Sequence, residues 1–172
     1  MMSTYSLVLL SCVIFLLQSS FLPFLFNGIM QPDLWLTVIA LAAVIVDRKS
    51  AFILAGVGGF LQDIVTSNFF GLHLLPYLVI TLLFVKFGRH RYNKHWYVSL
   101  LSVLLASVIY VVFSSIIMGW AGSRYPSLFY FIYLGIPLVL MNGGCSLILH
   151  NFLWMLKREE EPRWRRNISP PS

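Results

Sequence analysis

Charge is what this sequence has least of. Of its 172 residues only 10% are Asp, Glu, Lys or Arg, twelve basic and six acidic, whereas a soluble domain carries roughly 25%. That is too few to coat a water-facing surface. With 59% hydrophobic residues and a mean hydropathy of +0.83, the chain belongs in a membrane. Cysteine is equally scarce: Cys12 and Cys145 both lie in apolar stretches, where packing is the expected role, and they imply no disulfide or metal framework. The six acids are three isolated aspartates, Asp33, Asp47 and Asp63, and the run Glu159 to Glu161. There is no paired-carboxylate motif, HExxH, GxSxG or phosphate-binding loop, so neither catalysis nor a cofactor is expected.

What the sequence has in quantity is uncharged length. Charge-free stretches cover residues 1–32, 34–46, 50–62, 64–85, 95–123 and 125–156, and a helix needs about 20 apolar residues to cross the hydrocarbon core. Four qualify outright. The other two reach spanning length when extended to 32–47 and 51–67, which predicts a hairpin of short spans around Asp47, Arg48, Lys49 and Ser50. The expected fold is an all-α integral membrane protein of six transmembrane helices. Residues 1–156 form a single polytopic domain, and 157–172 a charged tail ending in a disordered run. The first apolar run is too long for a signal-peptide core and is expected to stay as an uncleaved span.

Basic residues mark the cytoplasmic side. With the N-terminus inside, Arg48, Lys49, Lys86, Arg89, Arg91, Lys94, Lys157, Arg158, Arg163, Arg165 and Arg166 all fall there, leaving only Arg124 outside. An odd number of spans does not give so one-sided a count. Both termini are therefore expected in the cytoplasm. The net charge of +6 is mostly a topology signal, and with no soluble domain to carry a basic face a nucleic-acid partner is excluded. Arg89, Arg91, Lys94, Lys157, Arg158, Arg163, Arg165 and Arg166 would instead meet anionic lipid or cytoplasmic partners, at roughly 1 kcal/mol per residue for lipid.

Ionisable residues at membrane depth are costly, which makes each a functional candidate. Asp63 follows Gly59 by four positions and Gly56 by seven, so one helical face carries two small residues and a carboxylate. It either faces a neighbour or a water-accessible cleft, or simply pins a helix end. Asp33, after Pro32, opens span two, where a carboxylate suits the positive helix N-terminus. His73 stands at the outer start of span four, an interfacial place, and the sequence specifies no carboxylate partner for it. Asn142, Gly143 and Gly144, five positions beyond Pro137, read as a packing seam with a kink, and Gln18 is a plausible hydrogen-bond partner for Asn142.

Taken in order, Pro32, Asp33 and Leu34, then Gly59, Phe60 and Asp63, then Gly71, Leu72 and His73 resemble the MreD family of rod-shape-determining membrane proteins. The motifs cover about residues 30–85, and size, span count and topology extend the likeness to the whole chain. The resemblance implies a non-enzymatic component of the bacterial cell-elongation machinery in the inner membrane. Its implied partners are the periplasmic scaffold MreC, the actin-like filament MreB and the lateral-wall peptidoglycan synthases. It also implies a fold similar to the substrate-binding subunits of energy-coupling-factor vitamin transporters. That leaves an alternative, a small-molecule-binding transporter subunit using Asp33, Asp63 and His73 as its site.

Overall fold

The structure is a computed structural model that describes residues 4–26, 31–66, 70–87, 95–120, 122 and 131–160. Every regular element among them is helical. The first rod is α1 (Thr4–Leu16), a π-helical turn (Leu17–Phe21) and α2 (Leu22–Phe26). Then come α3 (Leu34–Ile45), α4 (Arg48–Thr66), α5 (Leu74–Phe87) and α6 (Trp96–Trp120). A second π-turn (Phe131–Gly135) leads into α7 (Ile136–Glu160). That turn ends two residues before Pro137, whose ring clashes with the carbonyl four residues back in regular α geometry. Wider winding relieves the clash.

Three rods are long and apolar enough to cross a membrane: Tyr5–Phe26, Trp96–Trp120 and Ile132–Leu156. Leu34–Ile45 and Leu74–Lys86 are apolar but shorter, and α4 carries Arg48, Lys49 and Asp63 within its 19 residues. The described residues thus form six helical rods: α3 is short, as the hairpin of short spans predicts, α4 has 19 residues, and α5, expected as a full span over 64–85, has only 14. Helix α4 starts at Arg48, earlier than the predicted residue 51. Asp47 caps it, accepting the Ser50 amide at 3.2 Å and the Ser50 hydroxyl at 2.7 Å.

Helix α3 is the centre. Trp35, Leu36, Thr37, Val38, Ile39, Ala40, Leu41 and Ala42 are all fully buried, as expected of a helix that is apolar on every face. Around it stand α1, α4, α5, α6 and α7. Helix α6 turns Ser99, Val103, Ala106, Ser107, Tyr110, Val111 and Ser114 inward, a stripe at spacings of three and four. Helices α6 and α7 run antiparallel: Ser99 Oγ meets His150 Nδ1 at 2.7 Å, and Asn142 donates to Ser107 at 3.0 Å.

These pairings fix relative heights. Asp33, just before α3, bonds Asn142, and His73, just before α5, stacks on Tyr110 with ring centroids 5.9 Å apart. Tyr110 lies ten positions before the end of α6 at Trp120, about 15 Å at the α-helical rise. The short helices α3 and α5 therefore begin part-way along the long ones, on one common level.

Candidate functional site

A chain that breaks its helix at membrane depth must find partners for the freed backbone groups, since the hydrocarbon offers none. Before α3 this work falls to two side-chain amides. Gln18, in the first π-turn, donates from Nε2 to the Pro32 carbonyl at 3.3 Å and accepts the Leu34 amide on Oε1 at 2.9 Å. Asn142 accepts the Asp33 amide at 2.7 Å and donates its own NH2 to Ser107 Oγ. The carboxylate of Asp33 completes the cap, taking the Leu36 amide at 3.0 Å and the Tyr77 hydroxyl at 2.5 Å. The start of α3 is thereby tied to the first rod, α5 and α7, and through Asn142 to α6.

The start of α5 is held by one side chain. Asp63 accepts the amides of Gly71 and His73 at 2.7 Å each and that of Leu74 at 3.3 Å, while His73 Nδ1 lies 3.1 Å from its Oδ1. Gly71 makes the convergence possible with φ of +101°, a conformation L side chains rarely adopt. Asp63 is 2% exposed and His73 9%. His73 and Tyr77 then stack with Tyr110 at centroid separations near 6 Å, the Tyr77–Tyr110 pair at 5.8 Å. Asp33, Asp63 and His73 thus share one buried layer, linked through Tyr77.

Glycine sets the helix spacing beside this layer, at two of the four positions the sequence singles out and at one it does not. A Cβ on Gly59 would stand 2.6 Å from Leu74 Cα, and one on Gly58 would enter the Trp35 ring. Around Gly56 nothing lies within 4 Å. In α7 Gly143 faces Leu104, while Gly144 is exposed with nothing within that distance. The close approach therefore runs through Gly58, Gly59 and Gly143, and Gly56 and Gly144 stand outside it. The bonds shown for Gln18 and Asn142 are not to each other but to the same stretch of backbone, Pro32 to Leu34. Replacing Asn142 with alanine should lower thermal stability in detergent by about 1 kcal/mol, the scale of an interhelical hydrogen bond in a membrane protein. An unchanged melting temperature would show that the fork carries no load.

Sequence reasoning missed Tyr77, Ser107 and the Ser99–His150 bond. The first was detectable, since Tyr77 follows His73 by one helical turn. The other two depended on the register of α6 against α7. Of the basic residues expected at the inner face, Lys157 and Arg158 fall within α7. Arg89, Arg91, Lys94, Arg163, Arg165 and Arg166 lie outside the described residues.

The picture is of an all-helical membrane protein whose buried polar side chains are used to hold helix starts together. Residues 1–159 match the family model described as rod shape-determining protein MreD, and the chain belongs to that family. Its role is therefore in rod shape determination, as a structural membrane protein. No curated protein and no solved structure matches the chain.

Proposed function

We propose that the protein is a non-enzymatic membrane component of the bacterial cell-elongation machinery, assembling with MreC, MreB and lateral-wall peptidoglycan synthases. The match to the rod-shape family over residues 1–159 carries this reading. The chemistry of the buried layer supports it: Asp33 and Asp63 are engaged by backbone amides, Tyr77 and His73. A transporter subunit would need those groups for its ligand. Partners are then met by the outer helix faces, the loops and the basic inner surface. Depleting the protein in a rod-shaped host should round the cells, and MreC should co-purify with it. Rods that persist through full depletion would refute the proposal.

The same reading places six membrane-crossing segments in the inner membrane with both termini cytoplasmic, residues 1–156 as one polytopic domain and 157–172 as a tail. Its support is the clustering of eleven of the twelve basic residues on one side. A periplasm-active reporter fused after Ser172 should be silent, and one inserted near Gly122 active. The opposite pattern would reverse the orientation.

A further inference from the structure

Helix length, more than any buried group, distinguishes one side of this protein from the other. Helix α5 has 14 residues, about 21 Å at the α-helical rise, and the part of α4 from Lys49 to its end at Thr66 is about 25 Å, against roughly 30 Å of hydrocarbon. Tilt only reduces their projection on the membrane normal. Helix α6, by contrast, runs about 36 Å from Trp96 to Trp120. Trp96, Tyr97 and Trp120 are all exposed at its ends, as suits side chains that settle at headgroup level.

The two lengths are locked together. His73 and Tyr77 stack on Tyr110, so α5 begins about 15 Å short of the Trp120 end. Asp63 bonds the residues just before and at the start of α5, which brings that part of α4 to the same level. At this height the rim of the α4–α5 pair is apolar and faces outward. Phe60 and Phe70 meet edge to face at 5.6 Å, Phe70 is 70% exposed, and Ile64, Val65 and Leu75 are exposed beside them. Such a collar matches acyl chains and has no charge with which to select a polar partner. A hydrophobic surface shorter than the bilayer is accommodated by thinning it. Tilting α5 to a longer projection is closed, because the helix is already shorter than the core it faces.

We infer that the α4–α5 face is a thin hydrophobic ledge that draws in the leaflet on the Trp120 side, so that the protein prefers, and locally imposes, a thinned bilayer. Lipid acyl chains are the occupant of the ledge. The inference is independent of which membrane face is cytoplasmic and of the proposed assembly with wall synthases.

The test uses the purified full chain in phosphatidylcholine vesicles, with Cys12 and Cys145 replaced by alanine and a nitroxide placed at Phe70→Cys or Trp120→Cys. Collision with oxygen and with a polar nickel chelate should report nearly equal immersion depths for the two labels, although about 15 Å separates their levels along α6. In parallel, quenching of tryptophan fluorescence by brominated lipids should show the unsubstituted protein binding myristoleoyl chains at least about two-fold more strongly than oleoyl, and erucoyl chains least. A Phe70 label deep in hydrocarbon, or an optimum at oleoyl or longer chains, would overturn the ledge. Chelate access at Phe70 without a short-chain preference would mean a water-filled recess and would overturn it equally. The lipid series needs no substitution, so it decides the matter even if a labelled variant fails to fold.

Discussion

Replacing Asp63 with alanine is expected to destabilise the protein by about 3 kcal/mol, the largest effect of any single polar truncation in the buried layer. Three backbone amides, of Gly71, His73 and Leu74, lose their acceptor together, and the His73 ring loses the group it faces. Each buried donor left unpaired costs about 1–3 kcal/mol. Relaxation of the turn recovers part of that, so the sum is not reached. The asparagine variant separates the roles of the two oxygens. It keeps one acceptor but points an NH2 at amides that are themselves donors, so its stability should fall between wild type and alanine. Thermal unfolding in detergent measures the order. If Asp63→Ala melts like wild type, the carboxylate does not hold the start of α5. Shape complementation in a depleted rod-shaped host should fail for Asp63→Ala in step with lost accumulation.

This carboxylate also shows where sequence reading stopped. The charge gaps exposed the helical segments, and Pro32 with Asp33 identified the start of α3, because capping is local: Asp33 accepts an amide three residues on. Asp63 is a cap as well, but its helix begins eleven residues later and across a turn that depends on the positive φ of Gly71. Nothing local signals such a link, so His73 had no visible partner. Depth was hidden for a related reason. Charge-free length tells how much chain is apolar, not how high a helix starts, and height here is set by Asn142 and Tyr110, far away in sequence. The glycines illustrate the same limit. Spacing singles out Gly56 and Gly59 because offsets of seven and four place them with Asp63 on one face. Contact depends on where Trp35 and Leu74 arrive, which brings in Gly58 and leaves Gly56 open.

That contrast among glycines supplies the second prediction. Gly59→Ala should destabilise by about 2 kcal/mol, within the range for overpacking a tight contact, whereas Gly56→Ala should leave stability unchanged or raise it by about 0.5–1 kcal/mol through helix propensity. The physical difference is what the new methyl meets. At Gly56 it meets open space, and at Gly59 it falls 2.6 Å from Leu74 Cα and 3.1 Å from Leu74 N, backbone that no rotamer change can move aside. The start of α5 has to shift. Leu74 is also one of the residues whose amide Asp63 accepts, at 3.3 Å, so displacing it loosens the cap. The two lesions act on one junction, and their effects should not add: Gly59→Ala in the Asp63→Ala background should cost less than it does alone, a coupling of the size that contacting residues show, about 0.5–3 kcal/mol. Additive melting shifts in that cycle would mean that helix spacing and helix capping are independent here. A saving in the double variant would locate both in the single close contact between α4 and the first residue of α5.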